Sequence, residues 1–389
     1  MPIVILGDSC FFFDQNKAFF MTQDDLLIHQ IALTLIPGVG SVLSKNLLSY
    51  CGSAEAVFKE KFYLLQKIPG IGPHTAAIIK NSQGRARAEK ELEFIRKMNI
   101  SPLFYMDKNY PNRLKHCVDA PMMLYFKGNA NLNDSKVLGI VGTRKATDYG
   151  KKICIDLVEQ LQGKNILVMS GLAYGIDVCA HKACIKDQLP NVGVLGHGLD
   201  RIYPQMHKAI ADKMISNGGL ITEFLSGTAP DKENFPKRNR ILAGMVDALV
   251  VVEAARSGGA LITADIANSY NRDVFAFPGR TSDVYSEGCN VLIKNNKAVL
   301  IQSYADVEYV MGWEAAIEKN RASIQRSLFV DLEGDERKIF DLLQENGELS
   351  TDALCLLSSL TPGKLAVNLM GLECKGLVKS LPGNIFRLL

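Results

Sequence analysis

The sequence predicts an α/β protein organised on an open, mostly parallel sheet, and three observations support that reading. Short, almost uninterrupted apolar runs alternate with amphipathic stretches between residues 137 and 301. At the end of run after run the chain turns into glycine, serine or a basic residue. The first run, Val137–Val141, breaks into Gly142-Thr143-Arg144 and opens a helical pattern with Ile153, Leu157, Val158 and Leu161 on one face. Strand, glycine turn and helix are how such a sheet presents backbone N–H groups to an anion. Arg144 and Lys145 put fixed positive charge where a phosphate would sit.

The bulk properties narrow the possibilities. A chain of 389 residues with 47% hydrophobic and 22% charged residues has room for two or three domains with ordinary cores. Net charge is only +3, so a nucleic-acid reading has to rest on local clustering. The nine cysteines include no CxxC and no spacing suited to zinc, and the closest pair, Cys179 and Cys184, falls in an expected helix. Reduced, mostly buried thiols, no metal, no cofactor and a cytoplasmic location are expected. No run approaches the roughly 20 apolar residues of a membrane span, so no membrane partner is expected.

Residues 1–20 lack a basic start, and Gly7-Asp8-Ser9 interrupts their apolar run, so they read as an upstream extension, non-native or disordered. Residues 21–130 read as a helical domain with an extended lead-in. Within it, Pro37-Gly38-Val39-Gly40 and Pro69-Gly70-Ile71-Gly72 each precede an apolar helical pattern. The PGxG turns resemble helix-hairpin-helix (SAM-like) modules. They suit either a close approach to a DNA phosphate or plain helix packing, in which glycine is needed for the backbone. The mixed-sign stretch from Arg85 to Lys97 reads as a solvated face. Polar, turn-rich Asn129 to Ser135 marks the boundary with the sheet domain, 131–315.

Strands are expected at Val137–Val141, Ile166–Met169, Val192–Leu195, Leu220–Thr222, Ala248–Val252 and Val274–Phe277, with a short edge at Ala298–Ile301. Their ends carry Gly142-Thr143-Arg144-Lys145, then Ser170-Gly171 with Tyr174-Gly175, then Gly196, and after the fifth strand Ser257-Gly258. In an open α/β sheet these ends share one side, where ligands bind, and so many loaded ends point to a phosphate-bearing ligand. Between the fourth and fifth strands, Phe235, Lys237, Arg238, Asn239 and Arg240 combine cations with an aromatic that can stack a base. No acidic residue stands out at the second strand's end to hold a ribose, and Asp177 there reads as a helix cap.

The segments GTRKA (142–146), SGLAYGID (170–177), GLDRIYP (198–204), FPKRNRILAG (235–244), EAARSGGALITA (253–264) and FPGR with GCNVLI (277–280, 288–293) together resemble the DprA/Smf family of DNA-processing proteins. The resemblance implies a Rossmann-like protein that binds single-stranded DNA, self-associates as a homodimer or higher oligomer, and passes the strand to the RecA recombinase in place of single-strand-binding protein during DNA uptake. It places the GTR loop and the FPKRNR run against DNA. One departure stands out: the family has arginine or lysine where this chain has Tyr174, which removes a phosphate partner but offers a ring for stacking. Affinity is therefore expected to fall less steeply with salt.

No catalytic residue is assigned. Asp177, Glu223, Glu253, His181 and His197 are the candidates, but no carboxylate–histidine or metal-ligand spacing accompanies them. The enzymatic alternative is a nucleoside monophosphate glycosidase-like protein of the same architecture, whose PGGxGT signature this chain lacks, having Arg256-Ser257-Gly258-Gly259 instead. After a linker at 316–334, residues 335–389 read as three helices and two strands around Pro382-Gly383-Asn384, resembling a winged helix. Its recognition helix, Pro362 to Glu373, holds Lys364 as sole cation, which leaves few phosphate contacts for a DNA groove and suits a protein partner at least as well.

Overall fold

Nine strands form one sheet in the order β12-β11-β10-β6-β7-β8-β9-β5-β4 in the computed structural model, which describes residues 4–6, 9–11, 21–313, 332 and 334–389. The seven strands from β12 to β9 run parallel: β6 (Val137–Val141), β7 (Leu167–Ser170), β8 (Asn191–Val194), β9 (Gly218–Thr222), β10 (Ala248–Val251), β11 (Asp273–Ala276) and β12 (Val299–Leu300). Each run identified in the sequence is a strand; β6 has the expected bounds and the others differ by a residue or two at their ends. All four residues are buried in β7, β8 and β10 and all five in β6 and β9, because helices cover both faces. Alternation divides β6 between two cores. Val137 and Val141 pack on one face with Met169, Val192 and Leu249; Leu138 and Ile140 pack on the other with Cys154, Leu157 and Phe275.

The connections set the topology. From β6 the chain passes through α8 (Asp148–Glu159), α9 (Ile176–Lys186) and α10 (Lys208–Met214), each followed by the next strand outward to β9. It then crosses back through α11 (Asn234–Met245) to place β10 on the other side of β6, and α12 (Gly259–Ser269) leads on to β11. The chain order therefore reverses between β6 and β10, which makes a crevice at their carboxyl ends. Helix α13 (Glu287–Lys294) packs through Cys289 and Leu292 on the face of α11 and α12, and α14 (Tyr304–Val310) through Tyr304 and Val307 on the face of α8 and α9.

The lead-in departs from the expected division at 130/131. It supplies two strands, β4 (Ser101–Phe104) and β5 (Met123–Gly128), separated by the short α7 (Asn112–Lys115), and β5 pairs antiparallel with β9. The sheet thus reaches back to Ser101. Before it, α1 (Gln23–Thr34), α2 (Ser41–Cys51), α3 (Ala54–Lys59), α4 (Phe62–Leu65), α5 (Pro73–Lys80) and α6 (Gly84–Lys97) build the helical domain. Its core is continuous with the sheet through Met123, Tyr125, Leu195 and Leu220. The stretch from Arg85 to Lys97 is not simply solvated. Glu91 is 1% exposed, pairs with Arg87 and accepts from both the amide and the hydroxyl of Ser226, fastening the helical domain to the loop after β9.

Among residues 1–20 the described segments are β1 (Val4–Leu6) and β2 (Ser9–Phe11), which pair with each other, β2 pairing also with β3 (Met21–Thr22). The rest of that stretch, and most of the expected linker at 316–334, lie outside the described residues. The C-terminal module is a winged helix: α15 (Gly334–Asn346), β13 (Glu348–Ser350), α16 (Thr351–Ser358), α17 (Pro362–Cys374), β14 (Val378–Leu381) and β15 (Ile385–Leu388). The sequence reading lacked β13, which pairs with β15. Among the described residues no single helix is long and apolar enough to cross a membrane. The bent pair α16–α17 is apolar enough, but Leu354, Leu365, Leu369 and Leu372 are buried in the module's own core.

Candidate nucleic-acid interface

A cleft of about 500 Å³ lies at the crevice between the ends of β6 and β10. Its walls follow from the topology. Gly142, Thr143 and Arg144 leave β6; Ser257 and Gly258 follow β10; Phe235, Arg238 and Asn239 come from α11. Helix α12 starts at this wall with Gly258 in the cap position and no side-chain cap, so its first amides are directed at the cleft. Arg144, Lys232 and Arg238 supply positive charge, and Asp177 is the carboxylate among the lining residues.

The GTR loop is clamped. Thr143 donates its amide to Glu253 O at 2.6 Å, and Thr143 O accepts from the Ile176 amide at 3.2 Å, tying the loop to β10's end and α9's start. Gly175 has φ +79°, and a Cβ there would strike Thr143 O, so the close approach requires glycine. The Glu253 carboxylate, buried, accepts from the amide and hydroxyl of Thr147 at 2.9 and 2.6 Å, fixing the start of α8. The Arg144 side chain is left exposed, its guanidinium 5.4 Å from the Phe235 ring centre.

Helix α11 sorts its basic run by face. Arg238 is 5% exposed: Nη1 donates to Gly171 O and to Val194 O, and Nε donates to Asn239 Oδ1 at 2.9 Å. It thus stitches the ends of β7 and β8 together while contributing its charge to the cleft. Asp177 is not the cap of α9, a position held by Gly175. Its Oδ2 accepts from the Ala173 amide at 3.4 Å beside Arg238. Burial pushes its carboxyl up, against the pull of Arg238. The strand end thus does carry an acid, but one buried beside Arg238.

Gly171, Tyr174 and Gly196 line an adjoining hollow with Arg144, Phe235 and Arg238, joined by His197 and Tyr203. Tyr174 is 42% and Tyr203 47% exposed. Tyr203 lies 6.1 Å from Phe235, and Tyr174 stands edge-on to His207 at 5.2 Å. Three aromatic rings therefore line one path. Two of the contributors, Lys232 and Tyr203, were not among the residues picked from sequence. Lys232 sits between Asp231 and Glu233, which disguises it as part of a mixed-charge loop, whereas Tyr203 belongs to the GLDRIYP motif and was legible there.

Four expected contacts stand elsewhere. The Ser170 hydroxyl is buried and donates to Ile140 O at 2.6 Å, so it braces two strands. Lys145 is exposed outside the cleft, with its amide on Thr143 Oγ1 at 3.2 Å. Lys237 and Arg240 face the opposite side of α11, toward a second cleft of about 440 Å³ shared with Gly40 and Ser41 of the helical domain. Arg240 is held there by Glu223 and Asp119 O. Both PGxG turns need their left-handed glycines, Gly38 at φ +76° and Gly70 at φ +84°. The second is taken up in packing, with Asn46 donating to Pro69 O at 3.2 Å.

The histidines are engaged. His197 is buried, with Nδ1 against Gly198 O at 2.9 Å and Nε2 accepting from the Tyr203 amide at 3.2 Å, and burial lowers its pKa. His181 is fully buried on Asn191, and burial draws it down to about 4. Among the described residues no group of three or more His, Cys, Asp or Glu side chains could hold a metal.

Residues 101–311 match the family model of DNA recombination-mediator protein A, and residues 330–384 match the DprA winged helix domain. The chain is similar to protein Smf of Synechocystis, 30% identical over 384 residues, covering 91% of this chain and 96% of that relative. It is also similar to the DNA processing protein DprA of Bacillus subtilis, 37% identical over 235 residues, covering 60% of this chain and 79% of the relative. Among solved structures, DprA of Streptococcus pneumoniae superposes with a TM-score of 0.63 at 30% identity, covering 74% of this chain and 98% of that one. DprA of Helicobacter pylori, solved for its single-stranded DNA binding mode, gives 0.50 at 26% identity over 54% of this chain and 94% of that one.

Proposed function

This chain belongs to the DprA/Smf family, and from that premise we propose that it binds single-stranded DNA along the cleft at the switch point of its sheet. The observation that carries the reading is convergence: Arg144, Lys232, Arg238 and the uncapped start of α12 surround one cleft, beside Phe235, Tyr203 and Tyr174. Cations and helix amides take the phosphates, and exposed rings take the bases without demanding a sequence. The relative from Helicobacter pylori, described by its single-stranded DNA binding mode, supports it. The bound strand is protected by self-association of the protein and passed to RecA, in exchange with single-strand-binding protein, during DNA uptake and recombination. The role is that of a mediator without chemistry of its own, in keeping with both ring nitrogens of His197 being tied to backbone.

Fluorescence anisotropy with labelled oligonucleotides tests the binding. Single strands should bind more tightly than duplex of the same length, with little sequence preference and a clear loss of affinity as salt rises. Equal affinity for duplex, or no salt dependence, would remove the proposal. RecA filament assembly on strands coated with single-strand-binding protein tests the hand-over, which should be faster with the protein present.

A further inference from the structure

Two thiols outside the cleft face each other between α8 and α9. Cys154 is fully buried, with Sγ 3.9 Å from Ile176 O on the first residue of α9; Cys179 is half-buried, with Sγ 3.7 Å from Lys151 O on α8. Each sulfur thus reaches across to the backbone of the other's helix, which sets the two thiols side by side. Their surroundings set them apart chemically. Cys179 is the fourth residue of α9, in the electropositive first turn of the helix, near Lys151 and Lys182. The neighbouring Cys154 thiol, opposed by burial and aided by the two lysines, draws the Cys179 thiol down to about 7. Cys154 is held well up by the Cys179 sulfur, by burial, and by Cys184 and Asp177 nearby. A half-buried thiol facing a fully buried partner thiol across two helices is the arrangement of an oxidisable pair with its own resolving cysteine.

We propose that Cys179 is a peroxide-oxidation site that closes a disulfide with Cys154 and ties α8 to α9. The Cys179 thiolate attacks hydrogen peroxide, forming a sulfur–oxygen bond as the peroxide O–O bond breaks. With one proton taken up, the products are Cys179 sulfenic acid and water. The Cys154 sulfur then displaces the sulfenic oxygen, its thiol proton leaving with that oxygen as a second water. Peroxide is reduced by two electrons, and two thiols become one disulfide. The two helices grow from the loops that carry Arg144 and Tyr174, so the bond sets the spacing of the elements beneath the cleft.

The full chain, treated with hydrogen peroxide at neutral pH and digested without reductant, should yield one peptide joining Cys154 to Cys179. Two titratable thiols should be lost and recovered with dithiothreitol. In Cys154→Ser the disulfide should be absent and the Cys179 sulfenic acid captured by dimedone; in Cys179→Ser, Cys154 should stay a thiol. Iodoacetamide at pH 7 should alkylate Cys179 in the folded protein about tenfold faster than glutathione. Cys179 remaining a thiol where glutathione is oxidised, or joining Cys184 or Cys374 instead, would overturn the assignment.

Discussion

Arg144 and Arg238 are both arginines of the cleft, and their surroundings give them different work. Arg144 is exposed over Phe235 with its loop held by backbone bonds, so Arg144→Ala removes a phosphate partner and little else. We expect stability within about 0.5 kcal/mol of the parent, affinity for single strands down roughly tenfold, and a salt slope shallower by about 0.7. Lys232→Ala should behave alike. Arg238→Ala should instead unfold the protein more readily, by about 3–5 kcal/mol in urea titration. It leaves Asp177 buried without its cation, and the Gly171 and Val194 carbonyls without a donor. His181 gives a pH signature. It is fully buried with Nε2 unpartnered, and its pKa falls from 6.5 to about 4 on folding. The unfolded chain therefore binds a proton that the folded chain refuses. This contribution is complete above pH 6.5 and is lost as pH falls toward 4, the loss reaching about 2 kcal/mol at pH 5. Urea midpoints at pH 7 and pH 5 should show that loss in the parent and a smaller one in His181→Gln.

At the scale of elements, α11 shows what the sequence could and could not tell. The run was legible as basic and aromatic, but its division was not drawn. Helical periodicity puts Phe235, Arg238, Asn239 and Leu242 on the cleft face, and Lys237 with Arg240 on the other. The parallel strands β6 to β11 were legible because burial on both faces leaves continuous apolar runs. β4 and β5 were not. β4 is a four-residue edge strand containing Pro102, only half of it buried, and β5 owes its place to β9, nearly a hundred residues away. Lys232 was hidden between two acids, and only the fold carries it to the cleft. The winged helix was legible from its caps and apolar faces, and its placement supports a further expectation. Its wing turn touches the core at Asn271 and Arg272, beyond the C-terminal end of α12, while the cleft lies at that helix's start. A chain ending at residue 313 should bind a short single strand within twofold of the full protein, measured by anisotropy.

For the molecule as a whole, the decisive feature is the reversal of chain order between β6 and β10. It gathers residues from four separate segments into one electropositive crevice, and the aromatic path through Tyr203 and Tyr174 extends that crevice beyond what one nucleotide would fill. A polymer track and a mononucleotide pocket make opposite demands on competition. The direct test is a titration of the protein with a labelled single-stranded oligonucleotide, repeated in an excess of nucleoside monophosphate. A strand bound along the whole crevice predicts an almost unchanged binding curve and no free base released. Displacement of the strand by the monophosphate at comparable concentration, with base appearing in solution, would contradict it.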